Sequence, residues 1–172
     1  ENARKWILIG LYVGQRVSDL LALKPSKLRF IENGVYIDIN QQKTDKYVTV
    51  GVVDKEVIQI LKNNFPYPIS AQLFNRQIKQ ICQIAGISDI VSGYKLCSKT
   101  RRKKLGTHPK YSLISSHDLR RSFATNYFGK IETPILMQIT GHSKESTFLS
   151  YIGSQVNKDT YADAFMKVAA TL

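Results

Sequence analysis

Apolar residues set different rhythms along this chain. From Ala3 to Val13, Trp6, Ile7, Ile9, Leu11 and Val13 recur as on a buried helix, and Gly14, which tolerates positive φ, marks its end. A short helix from Val17 to Leu23 follows, closed by Pro25. Between residues 28 and 52 the period drops to two. LRFI, an Asn33-Gly34 turn, VYIDIN, a polar QQKTDK tip and YVTVGV predict a three-stranded antiparallel meander, with Lys43 on its second turn. Helical spacing returns from a cap at Asp54 through Lys62, and from a cap at Ser70 across Ala71 to Ala85, where Gly86 stops it. Residues 92 to 112 hold Gly93, Gly106 and Pro109 and predict a long loop or a ragged hairpin. Four further helices are predicted: His117 to Phe128, Thr133 to Thr140, Lys144 to Ile152 and Lys158 to Leu172. The pattern describes a mainly α (α+β) domain over residues 1–172, with a small three-stranded antiparallel sheet and no internal repeat.

Composition narrows the function. With 172 residues and 43% apolar content the chain can bury a core, and 25 Lys+Arg against 13 Asp+Glu leave a net charge of +12. That excess is the footprint of a nucleic-acid binder, although ribosomal and anionic-membrane proteins share it. No basic amphipathic segment reads as a membrane-surface helix, and no apolar run approaches the ~20 residues of a span. Cys82 and Cys97 form no CxxC pair and have no adjacent His, so neither a zinc site nor a disulfide framework is indicated, and the thiols point to a reducing cytoplasm. The chain opens directly into a helix without an initiator Met, as a piece of a larger protein would. Basic residues crowd the segment from Lys95 to Lys110; among them Lys99, Arg101, Arg102, Lys103 and Lys104 are candidates for contacting nucleic-acid phosphates, a solvated loop being the alternative.

Four short segments carry possible chemistry. In HDLRRSFATN, His117 and Arg120 stand three apart and share one helical face. In ITGHSKESTFLSYIG, Gly141 and His142 precede a helix that Ser143 can cap, and Tyr151 falls on that helix nine residues after the His. Taken singly, each has an ordinary explanation: a surface pair, a turn residue, a core-edge aromatic. Their joint order and spacing do not. Together they resemble the C-terminal blocks of the tyrosine recombinases, the phage-integrase family: His-x-x-Arg, then Gly-His, then the nucleophilic Tyr nine residues on. Upstream, LYVGQRVSDLLALKPSKL resembles the family's first block and places its first arginine at Arg16, while Lys43 in QQKTDKYVTV occupies the place of the family's turn lysine. Two departures are small: Arg121 stands where the family often has His, and Thr140 replaces the common Leu before Gly-His.

The resemblance implies a catalytic set of Arg16, Lys43, His117, Arg120, His142 and Tyr151, with Tyr151 as nucleophile and double-stranded DNA as partner. Its chemistry is intelligible. Arg16 and Arg120 offer planar, permanently charged forks to a phosphate. Lys43 would protonate the leaving 5′ oxygen, His117 would take the tyrosine proton or return it, and His142 would hydrogen-bond the phosphate. A 3′-phosphotyrosyl link keeps the energy of the broken bond for rejoining, so no ATP or other cofactor is needed. Nor is a metal, since the 13 carboxylates form no clustered motif of the two-metal kind.

The reading is therefore a DNA strand-exchange enzyme, the integrase of a phage or conjugative element. A type IB topoisomerase, which shares the chemistry, and an inactive DNA-binding regulator are the alternatives. The family's usual N-terminal DNA-clamping domain is expected to be missing from this chain, which would make its affinity low. In the last predicted helix, residues 158–172, Tyr161, Ala164, Phe165, Val168 and Leu172 form an apolar stripe; in the family such a helix often docks on the next subunit of the recombining assembly, packing on its own domain being the alternative.

Overall fold

A computed structural model describes residues 1–97, 100–153 and 158–170, with backbone alone for residues 158–161, 164 and 168. Helix α1 (Asn2–Val13) crosses the larger core and fully buries Trp6, Ile9 and Val13. It stops where predicted. Gly14 adopts φ 65°, and a Cβ there would land inside the Phe123 ring, so the position needs both the torsion and the bareness of glycine. Helix α2 (Val17–Leu21) follows, two residues shorter than expected.

The meander forms as β1 (Leu28–Ile31), β2 (Gly34–Gln41) and β3 (Lys46–Val52), antiparallel in that order. Val35 faces Val52, Ile37 faces Val50 and Ile39 faces Val48, and all six are buried toward α1 and its neighbours. Helices α3 (Lys55–Asn63) and α4 (Ala71–Ile84) start at side-chain caps, Asp54 accepting from the Val57 N–H at 3.0 Å and Ser70 from the Leu73 N–H at 3.2 Å. They add Val57, Ile60, Leu61, Phe74 and Ile78 to the same core.

The basic segment is more ordered than a loop. Strands β4 (Ile90–Leu96) and β5 (Lys103–Pro109) pair without interruption from Ile90↔Pro109 to Leu96↔Lys103. The glycines that read as loop punctuation instead sit directly opposite one another, Gly93 against Gly106, and a Cβ on Gly93 would strike Leu113 at 2.5 Å. Bare backbone there leaves room for the Leu113 side chain against the hairpin.

Helices α5 (Ser116–Tyr127), α6 (Thr133–Thr140) and α7 (Glu145–Ile152) enclose a second, smaller core of Phe123, Ala124, Leu136 and Phe148. Ser143 does not cap α7: the cap position falls one residue later, on Lys144, which makes no side-chain capping bond. Helix α8 (Lys158–Ala169) follows, with Phe165 and Met166 exposed. Among the described residues, no helix is long and apolar enough to cross a membrane.

Candidate active site

Five separate segments supply the six residues singled out in the sequence. Arg16 is the N-cap residue of α2, Lys43 lies on the β2–β3 turn, and His117 and Arg120 lie on α5. His142 follows the end of α6, and Tyr151 lies near the end of α7. All six line one open cleft of about 760 Å³, with Gln15, Thr44, Gly141 and Ser143 among its other walls.

The two arginines are held differently. Arg120 is 2% exposed, and its guanidinium donates to the Gly14 carbonyl at 3.3 Å and to the Thr140 carbonyl. Burial, seconded by the nearby charge of Arg16, pulls its pKa down to about 10, which leaves it charged at neutral pH. Arg16 has a buried Nη1 with no hydrogen-bond partner. A buried N–H without an acceptor is costly, and an anion in the cleft would supply one. The start of α5 is fixed by Asp118, whose carboxylate accepts the Ser115 backbone N–H at 2.8 Å and its hydroxyl at 3.0 Å.

Tyr151 lies between the two histidines. Its ring meets His117 edge-on, with centroids 4.9 Å apart at 84°, and His142 at 5.0 Å and 46°. The Tyr151 hydroxyl donates to the His117 carbonyl at 3.3 Å, and the guanidinium carbons of Arg120 and Arg121 stand 5.9 and 5.5 Å from the ring centre. Burial raises the Tyr151 pKa, with the Arg120 charge pulling it back. Burial also lowers His117, helped by Arg121, Arg120 and Arg16 against the opposing pull of Asp118. His142 is pushed down to about 4, by burial first and then by Arg120, Arg16 and His117. At neutral pH the cleft thus holds a protonated phenol, two neutral imidazoles and fixed guanidinium charge.

Sequence reading gave no role to four residues here. Thr140, passed over as a replaced Leu, is fully buried, and its hydroxyl lies 2.8 Å from His142 Nδ1. Asp19 is buried and takes the Gln42 backbone N–H at 3.0 Å, beside Lys43. Gln15 and Gln41 are buried and bonded to each other at 2.9 Å. A signal for Gln41 was available: it continues the inward series Val35, Ile37, Ile39 with an amide where an apolar residue is expected. The proposed DNA contacts lie elsewhere. Arg101, Arg102, Lys103 and Lys104 are exposed on the β4–β5 hairpin and its turn, away from the cleft lining, and Lys99 lies outside the described residues. No three His, Cys, Asp or Glu side chains among the described residues come together as a metal site.

The model of the phage integrase family matches residues 2–158. The chain belongs to the phage integrase family. No curated protein sequence matches it. Solved structures similar to this integrase-family chain include XerH site-specific recombinase bound to difH substrate in a pre-cleavage complex, at TM-score 0.63 and 21% identity over 94% of this chain and 45% of that one. A lambda integrase dimer bound to a COC′ core site matches at TM-score 0.63 and 18% identity, over 91% of this chain and 54% of that one. The Tn1549 transposon integrase with transposon right-end DNA matches at 0.64 and 18%, over 96% and 58%. At these identities the likeness is one of fold. The chain spans about half the length of these proteins.

Proposed function

We propose that this integrase-family chain cuts and rejoins duplex DNA as the catalytic part of a site-specific recombinase, through a covalent bond to Tyr151. The observation that carries the reading is the convergence of Arg16, Lys43, His117, Arg120, His142 and Tyr151 on one cleft. The Tyr151 oxygen attacks the scissile phosphorus and its proton passes to His117. The bond from phosphorus to the 5′ oxygen breaks, and that oxygen leaves with a proton from Lys43. Arg16, with an unpartnered N–H, and Arg120 neutralise the non-bridging oxygens as charge builds on them. His142 hydrogen-bonds the same phosphate once that anion has drawn a proton to its cleft-facing nitrogen. Rejoining reverses these steps with another 5′ hydroxyl as nucleophile. Neither ATP nor a metal ion enters the reading. The recombinase and integrase names of the similar folds favour strand exchange over supercoil relaxation by a topoisomerase.

Around this centre, Arg101, Arg102, Lys103 and Lys104 would contact DNA phosphates from the hairpin. Residues 158–172 would dock on a second copy in the assembled complex, a role that the exposure of Phe165 and Met166 supports. The cytoplasm is the compartment this function implies.

The test is covalent trapping on a pool of nicked duplexes with randomised flanks, in which cleavage next to the nick releases a short fragment and strands the enzyme on DNA. Tyr151→Phe keeps the ring and its packing, so the protein should fold and bind DNA but form no adduct. Tyr161→Phe should still form it. An adduct on Tyr151→Phe would overturn the assignment of the nucleophile.

A further inference from the structure

Gln41 ends strand β2 two residues before Lys43 and is wholly buried. Every hydrogen of its side-chain amide is used. Nε2 donates to Gln15 Oε1 at 2.9 Å and to the Ile139 carbonyl at 2.8 Å, and Oε1 accepts from the Thr44 hydroxyl at 2.8 Å. Gln15 completes the cluster by donating to the same Ile139 carbonyl at 2.8 Å and to the Val13 carbonyl at 3.1 Å. Ile139 lies in the last turn of α6, where helix carbonyls lack partners within the helix. The two amides therefore fasten three segments at one point: the residue before Arg16, the foot of the Lys43 turn, and the helix end that leads into His142.

The close fit extends to Gly141. It adopts φ 65°, and a Cβ there would collide with the Gln41 side-chain oxygen. The bareness of Gly141 beside His142 is thus what admits the Gln41 amide. On the other side, the turn hangs from Gln41. The Thr44 and Asp45 backbone N–H groups both bond the Gln41 carbonyl, at 3.2 and 2.8 Å, and the Thr44 hydroxyl bonds its side chain. Asp19 provides the remaining tether through Gln42. Lys43 itself is exposed, so the position of its ammonium follows that of the turn.

We propose that Gln41, clasped by Gln15, is a positioning residue for Lys43: it holds the proton-donating turn in one frame with the end of α6 and His142. An apolar side chain of similar size would fill the same inward place, and fully paired buried polar groups are not needed for burial alone. What the amide adds is direction, since each of its bonds ends on a defined atom of a different segment. The inference rests on the reading of Lys43 as the donor of a proton to the leaving 5′ oxygen.

The experiment uses the nicked-duplex pool in two forms, with oxygen or sulfur at the 5′-bridging position of the phosphodiester beside the nick. A thiolate leaves without a proton, so sulfur bypasses Lys43 but no other group. Gln41→Leu and Thr44→Val, checked for folding by circular dichroism, should slow adduct formation by about 10-fold or more on the oxygen pool, as expected of a displaced catalytic group. Both should return to the parent rate on the sulfur pool. If Gln41→Leu does not fold, Thr44→Val, which cuts only the turn's side-chain bond to Gln41, decides the matter. Parent-like rates on oxygen, or equal slowing on both pools, would overturn the positioning role. Lys43→Ala runs in parallel. If sulfur rescues Lys43→Ala but not the Gln41 and Thr44 variants, only the clasp proposal fails; if Lys43→Ala is not rescued, the acid assignment falls and the clasp proposal with it.

Discussion

The Thr140 hydroxyl stands 2.8 Å from Nδ1 of His142 and gives its own proton to the Leu136 carbonyl at 2.6 Å. A hydroxyl has one proton, so toward His142 it can only accept. Nδ1 therefore carries the hydrogen of the neutral ring, and Nε2 carries the lone pair.

Replacing Thr140 with Val keeps the shape and removes that acceptor. The Nδ1–H form should lose its dominance in nitrogen NMR spectra of the His142 ring, and stability should fall by about 1–2 kcal/mol for the two lost hydrogen bonds. A tautomer ratio unmoved by Thr140→Val would mean that another group sets it.

Protonation of the site should cost stability in mild acid. His142 binds a proton with a pKa near 4 in place of the usual 6.5, and His117 is shifted in the same direction. Between those values the unfolded chain holds protons that the folded chain does not, so stability falls as pH drops through that window and is recovered above it. Asp38, lowered to about 2 by Arg29 and Thr49, loses its contribution only below its ordinary 3.8 and does not confuse the range. Thermal melts across these pH values should show the slope, and His142→Gln should flatten it.

The two arginines should separate stability from catalysis. Arg120→Ala strands the Gly14 and Thr140 carbonyls in a buried place and should destabilise by about 1–3 kcal/mol. Arg16→Ala removes an N–H that has no partner and should leave the melting temperature unchanged or higher. Each should lower cleavage by roughly 10²–10³-fold, the scale for a lost transition-state donor. Equal melting losses in both variants would contradict the difference in their bonding.

Tyr151 reaches the histidines and arginines of its own chain, which favours cleavage in cis. A mixture of Tyr151→Phe with Arg120→Ala should then form no more adduct than either alone. Recovery of adduct in the mixture would show that the tyrosine crosses to a neighbour's cleft.

On the hairpin, Lys95 and Lys104 lie directly opposite each other on one face, a like-charge pair that weakens an isolated ladder. Bound phosphate would relieve it. Changing Arg101, Arg102, Lys103 and Lys104 together to Ala should lower duplex affinity and flatten its salt dependence, by roughly 0.9 in log–log slope for each phosphate no longer neutralised. An unchanged slope in a filter-binding titration would mark these residues as a solvated tip.

The elements of this chain were legible in the sequence because each rests on local chemistry. Gly14 stops α1, alternating Val and Ile make the meander, Asp54 and Ser70 start their helices, and the order Arg, Lys, His, Arg, His, Tyr could be read without coordinates. The hairpin was half legible, since Gly93 and Gly106 look like loop residues until Leu113 is seen against them. What only the tertiary structure decided is how the segments meet. That Arg120 spends its hydrogens on the Gly14 and Thr140 carbonyls while Arg16 keeps one unpaired, and that Gln15 and Gln41 share the Ile139 carbonyl, are facts of residues up to 124 positions apart. Periodicity reports which face a side chain turns inward; the partner it finds there depends on long-range packing that no local spacing encodes.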